Sequence, residues 1–195
     1  VKVHLLDGTY ELFRHHFGVP KGDRDPTDDV AATRGVMWSV LQLLEEGVTH
    51  LGVATDHVIE SFRNDMWPGY KSGAGIDPAL RSQFVPLEEA LVAMGVVVWP
   101  MVDLEADDAL ATAARKYAGE FDQVRILTPD KDLGAMLEGD RNVQIDRIRK
   151  KLIDGKSFRA ARGIAPASMP DGRALGCDTA YGMPGVPGVG EQTAR

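Results

Sequence analysis

Acidic side chains recur in four tight settings along the chain: Asp7-Gly8, Asp56, Glu105-Ala106-Asp107-Asp108 and Pro129-Asp130-Lys131-Asp132. Like charges gathered within a few ångströms raise one another's pKa and oppose folding unless something positive sits among them. Oxygen donors without Cys or His at ligand spacing favour a hard divalent ion, Mg²⁺ or Mn²⁺, over zinc. Two such ions about 4 Å apart activate a water and stabilise the leaving oxygen in phosphoryl transfer, so phosphodiester hydrolysis is the chemistry this set suits. Each acid alone has a plainer use. Asp130 suits a helix N-cap, Asp107 and Asp108 suit a first helical turn, and Asp7-Gly8 suits a turn. Their coincidence at strand ends is what favours a shared site.

The strands that end there are β-rich runs at Val1 to Leu6, Leu51 to Thr55, Val96 to Trp99 and Val124 to Thr128, with a fifth at Val143 to Ile145. Between them, Asp28 to Glu46, Leu80 to Met94 and Asp107 to Tyr117 carry apolar residues at helical spacing. Strands alternating with helices predict an α/β fold, a mainly parallel sheet covered on both faces. In such sheets ligands bind beyond the carboxyl ends of the strands, where these acids fall. The Gly-rich segment Phe62 to Pro78 reads as a mobile loop over that edge. Past Ile153, short helical pieces lead into the Gly/Pro-rich run Gly182 to Gly190, with a helix expected to begin near Gly188 and to be cut after Arg195. The expected division is residues 1–154 for the α/β domain and 155–195 for a truncated helical module.

The chain has 195 residues, 44% of them hydrophobic, enough for one α/β core with a small appendage. No run of about 18 apolar residues occurs, and a soluble, cytoplasmic monomer is expected. The lone Cys177 suits a small packed thiol. A net charge of -7 argues, by itself, against binding a polyanion, but charge placement outweighs the sum when many acids belong to one cation site. The basic run Arg147, Arg149, Lys150 and Lys151 reads as a solvated face, the adjacent His15 and His16 as surface polar groups, and Trp38 and Trp99 as core.

The stretches E-A-D-D-A-L (Glu105 to Leu110) and T-P-D-K-D-L (Thr128 to Leu133) resemble the 5′-nuclease family, which includes 5′-3′ exonuclease domains of bacterial DNA polymerase I and flap endonucleases. D-G-T-Y-E-L-F-R (Asp7 to Arg14), D-H-V-I-E-S-F-R (Asp56 to Arg63), Tyr70-Lys71 and G-M-P-G-V-P-G-V-G-E-Q-T-A extend the resemblance over nearly the whole chain. It implies a PIN-like (resolvase-like) sheet with a two-metal centre and a helix-three-turn-helix DNA-binding element. Asp7, Asp56, Glu105, Asp107 and Asp108 match acids around a first ion, and Asp130, Asp132 and Asp178 those nearer a second. Arg63 and Lys71 match cations that grip the scissile phosphate, within an arch at about residues 62–81 that includes Arg81. Arg14 matches a phosphate contact, and Tyr70 is equally a stacking platform for an unpaired base or a loop anchor. Gly185, Val186, Gly188, Val189 and Gly190 match the element that holds a monovalent cation, usually K⁺, while gripping duplex DNA.

One position departs from the pattern. The family usually carries a second acid three residues after the one matched by Asp178, and here that residue is Tyr181. A neutral phenol cannot supply the missing charge, so a weakened second ion is expected. The implied activity is structure-selective 5′-3′ exonuclease or flap endonuclease hydrolysis of DNA carrying a 5′ end, flap or single-strand/duplex junction. A catalytically impaired junction-binding module and a PIN-like ribonuclease are the alternatives.

Overall fold

The computed structural model describes residues 1–20, 28–67, 69–176, 185–190 and 193. Its centre is a six-stranded sheet of order β3-β2-β1-β4-β5-β6, formed by β1 (Lys2–Asp7), β2 (Leu51–Asp56), β3 (Val97–Met101), β4 (Gln123–Leu127), β5 (Asn142–Asp146) and β6 (Lys151–Ile153). β1 to β5 are parallel, and β6 returns antiparallel to β5 with Asp146 opposite Lys151. The expected parallel α/β sheet is present. β6 was not anticipated, because K-L-I is too short for an alternation to register.

Both faces are covered. On one, α1 (Gly8–Gly18), α2 (Ala31–Glu45) and α5 (Phe84–Ala93) close over Leu6, Val53 and Leu127 with Leu12, Val36, Val40, Leu87 and Leu91. On the other, α6 (Ala106–Tyr117) packs Leu110 and Ala114 onto Leu5, Val124 and Ile126. A third small cluster of Leu137, Phe158 and Met169 seats α7 (Gly155–Arg162) and α8 (Met169–Leu175). Among the described residues no helix is long and apolar enough to cross a membrane.

Chain order sets where a ligand can sit. β2 and β3 lie to one side of β1, and β4 and β5 to the other, so the connections diverge between β1 and β4 and leave a crevice at their carboxyl ends. Asp7 ends β1 there, and its turn into α1 depends on Gly8. A Cβ on Gly8 would lie 2.7 Å from Val53, 2.8 Å from Thr55 and 3.0 Å from the Ala54 carbonyl. Only a bare backbone lets α1 start so close to β2.

Several expectations change. The segment expected as a loop contains α3 (Phe62–Met66), a 3₁₀ turn at Gly73–Gly75 and α4 (Pro78–Arg81). Ser61 and Asn64 form a capping box at the first, and Asp77 caps the last. The single helix expected over Leu80 to Met94 is split, because Pro86 has no N–H to donate and is tolerated only in the first turn of a new helix, α5. Trp38 is 61% exposed: it faces away from the stripe of Val36, Val40 and Leu43 that α2 buries. His16 is buried and bonds Asp77 at 3.3 Å instead of lying on the surface. Gly185 to Gly190 contain a turn, and no helix is formed among them. Asp178, Tyr181 and Cys177 lie outside the described residues.

Candidate metal centre and its cationic rim

Asp7, Asp56, Asp107 and Asp130 line one cleft of about 620 Å³ at the carboxyl edge of the sheet, together with Glu105, Lys71 and Lys131. Each acid arrives on a different element. Asp7 ends β1 and caps α1, accepting from the Tyr10 N–H at 2.8 Å, while its other oxygen accepts from the Thr128 hydroxyl at 3.0 Å across the β1/β4 crevice. Asp56 ends β2; it accepts from the Ala106 N–H at 2.7 Å, and its own N–H donates to the Thr9 hydroxyl at 2.7 Å. Asp107 stands in the first turn of α6, and Asp130 sits after β4, where it accepts from the Asp132 N–H at 2.8 Å. The plain roles of cap and turn are thus real, and they hold the carboxylates in place.

The electrostatics show what this crowding costs. Burial pushes the Asp7 carboxyl up to about 7, in spite of the Tyr10 and Thr128 hydrogen bonds, with Asp56 and Asp130 adding to the rise. Burial, then the charges of Asp7, Asp130 and Asp56, pushes Asp107 up to about 8. Asp56 is also raised, by burial, against the opposing pull of Lys71. Carboxylates held this way gain most from a cation placed among them, and the donors are all oxygen, so the set fits a hard divalent ion. As the side chains stand, no group of three acids, histidines or cysteines among the described residues is drawn into a finished metal shell.

Protein cations take part of that role. Lys71 bonds Glu105 at 2.8 Å and lies 3.6 Å from Asp56. Arg63 forks onto Asp108 at 2.7 and 2.8 Å and reaches Glu105 at 3.2 Å. Burial of Glu105 is outweighed by hydrogen bonds from Lys71 and Ser61, which hold its carboxyl below the usual range; Asp108 is held low first by Arg63. Tyr70 donates to Glu105 at 3.3 Å, so it anchors its loop to the cleft. Arg81 stands beside Gly73 and near Glu60, at the outer end of the same segment.

Two expected members stand apart. Asp108 is turned toward Arg63, and Asp132 is bonded by Arg173 of α8 at 2.8 Å; neither lines the cleft. Arg14 pairs with Glu11, which is 1% exposed and is also met by Arg147 at 3.4 Å and Ser39 at 3.3 Å. At the tail, Val186 N–H donates to the Leu175 carbonyl at 3.0 Å, and Gly188 adopts φ +83°, a left-handed turn that glycine allows. Gly185, Val189 and Gly190 flank that turn. Sequence reasoning missed Thr9, Thr128, Ser61 and Arg173, the groups that orient the acids. The first two adjoin acids in D-G-T and T-P-D, a detectable signal; Arg173 carries none, since only the fold brings it to Asp132.

Residues 2–163 match the family described as 5′-3′ exonuclease, N-terminal resolvase-like domain. DNA polymerase I of Mycobacterium leprae is 32% identical over 199 residues, an alignment covering 97% of this chain and 22% of that protein. The chain thus spans about a fifth of the length of that relative. Among solved structures, T5 5′-exonuclease with bound divalent metal ions (zinc) superposes with a TM-score of 0.77 at 18% identity, covering 100% of this chain and 73% of that one. The bacteriophage T5 flap endonuclease, solved as a pseudo-enzyme-product complex with DNA and metal ions, gives a TM-score of 0.77 at 17% identity, covering 100% and 73%.

Proposed function

Because the chain belongs to the 5′-3′ exonuclease N-terminal resolvase-like family, we propose that it is a divalent-metal-dependent 5′-nuclease, hydrolysing DNA phosphodiester bonds near a 5′ end, flap or single-strand/duplex junction. The observation that carries this is the convergence of Asp7, Asp56, Asp107 and Asp130 on one cleft that Lys71 also lines, with Arg63 bonded to Glu105 at its edge. T5 relatives of the same fold hold divalent metal ions and DNA, which supports both the cofactor and the partner.

Asp7, Asp56, Asp107 and Asp130 would hold the cation, Mg²⁺ or Mn²⁺ by donor chemistry. Bound there, it supplies Lewis-acid polarisation of the phosphate and lowers the pKa of the attacking water. The chain's own residues do the rest. Thr128 and the Ala106 amide fix the carboxylate rotamers, so the site is organised before substrate arrives. Lys71 faces the cleft from the segment after β2, and Arg63 stands behind it on Glu105 and Asp108, so fixed positive charge is at hand to stabilise a phosphate gaining negative charge. Glu105 and Asp108 hold those two cations in readiness and would contribute to the first ion through water. Asp132 and Asp178 are assigned to a second ion, with Arg173 already sharing Asp132. The tail around Gly188 would grip duplex phosphates and a K⁺ ion, and Arg14 and Arg81 would contact the backbone.

A second reading, a junction-binding module with impaired cleavage, is favoured by Tyr181 where the family carries an acid and by the neutralised Asp132. A labelled 5′-flap substrate incubated with Mg²⁺, Mn²⁺ or EDTA separates the two. Cleavage with metal, none in EDTA, and its loss in Asp130→Ala with DNA binding retained are expected. Binding without cleavage under every metal condition would leave the second reading.

A further inference from the structure

The turn joining β5 to β6 carries Arg147, Ile148, Arg149 and Lys150, followed by Lys151 on β6, in a chain whose net charge is -7. We propose that Arg149, Lys150 and Lys151 form a phosphate-binding subsite for the DNA flanking the scissile bond, on the side of the cleft opposite Lys71 and Arg63. This rests on the nuclease reading and extends it to where the substrate runs.

Position comes first. β5 is parallel to β4 and β1, so the turn stands on the same edge as Asp7 and Asp130. Strands about 4.8 Å apart place it two to three spacings, roughly 10–15 Å, from Asp7. At about 3.4 Å per nucleotide that is three or four phosphates along one strand. Lys131, on the cleft wall after β4, bridges the interval, and Tyr10 in the same cleft lies within electrostatic reach of Asp146 at the end of β5. Lys71 and Arg63 come from the segment after β2, across β1. A strand crossing the cleft therefore meets cations on both sides.

Construction is the second argument. Asp146, 5% exposed, accepts from the Ile148 and Arg149 N–H groups at 3.0 and 2.9 Å and from the Arg149 guanidinium at 3.0 Å, so the turn is held in one shape. Arg147 anchors it to Glu11 and Ser39. Lys150 has φ +50°, the one non-glycine residue in that region among the described residues. Glycine or asparagine would sit there with less strain, and a lysine kept in a strained conformation points to a use for its charge. Beneath the turn, a groove of about 1140 Å³ takes Arg147 and Lys150 into its lining together with Lys2 and Arg125, against the two acids Glu45 and Glu46.

The test is Arg149→Gln, Lys150→Gly and Lys151→Gln combined, with Lys150→Gly alone as the fold control, since it removes a charge and relieves the left-handed strain. DNA binding is measured in EDTA across a salt series on a 5′-flap substrate. With each lost phosphate contact worth about 0.7–0.9 in the slope of log affinity against log salt, the triple variant should lose about two units or more. Neutral methylphosphonate linkages three and four nucleotides from the cleavage point should weaken the unmodified protein and add nothing to the variant's loss. An unchanged slope in a variant that folds, while the parent binds DNA, would overturn the subsite and leave the nuclease reading standing. No DNA binding by the parent would overturn both.

Discussion

Asp107 lies half-buried beside Asp7, Asp56 and Asp130, and among the described residues no basic side chain bonds it. Its charge opposes the metal-free fold and serves the loaded one. Asp107→Asn is therefore expected to raise the melting temperature in EDTA by a few degrees, to abolish the further rise that Mg²⁺ gives the parent, and to abolish cleavage. Calorimetry with and without Mg²⁺ decides this; an intact Mg²⁺-dependent rise in the variant would remove Asp107 from the metal site. Tyr181 presents the converse case. Restoring a carboxylate by Tyr181→Asp should lower the Mg²⁺ concentration for half-maximal cleavage, and identical metal titrations of the two proteins would show that Tyr181 has no part in the centre. Lys71 and Arg63 were legible from the sequence through family resemblance, but their resting partners Glu105 and Asp108 were not, because a carboxylate that holds a cation looks in sequence like one that holds a metal.

At the scale of the element, α1 shows how closely stability and site are joined. Gly8→Ala would drive a Cβ against Val53, Thr55 and the Ala54 carbonyl at the step where Asp7 caps the helix. Overpacking of this kind costs about 1–3 kcal/mol, and the shift should carry Asp7 out of register with Thr128. Denaturant titration should show the loss, and cleavage should fall further than stability alone explains; a variant equally stable and equally active would mean that α1 has room to move. The parallel core strands were readable because β-branched runs and the acids after them coincide. α3, α4 and β6 were not: the first two rest on a capping box at Ser61 and Asn64 and a cap at Asp77 at the two ends of a Gly-rich stretch, and β6 on pairing with β5, a tertiary effect. The break at Pro86 was visible in the sequence but lost within a long apolar period. The basic run Arg147, Arg149, Lys150 and Lys151 read as a solvated face, and Arg149, Lys150 and Lys151 are exposed; what the sequence does not show is the edge of the sheet from which their hairpin points.

At the scale of the whole molecule, acid sensitivity should reach beyond the cleft. His4 on β1 is 7% exposed, its Nδ1 has no hydrogen-bond partner among the described residues, and burial with the nearby Arg125 lowers its pKa from 6.5 to about 4. The unfolded chain takes up a proton below about 6.5 that the folded chain refuses until about 4. His4 thus favours folding fully above pH 6.5, and that contribution drains away as the pH falls toward 4. Thermal melts at pH 7.5 and 4.5 should show a smaller acid-induced drop in His4→Gln than in the parent, and an equal drop would remove His4 from the account.

Glu11, almost wholly enclosed, joins α1 to Ser39 on α2 and to Arg147 at the β5–β6 turn. During synthesis at about 5–20 residues per second, Arg147 emerges roughly seven seconds or more after Glu11. Until then Glu11 has Arg14 and His15 on its own helix and, once α2 is made, the Ser39 hydroxyl. The first helix therefore receives its most distant buried partner only when the turn after β5 has been made.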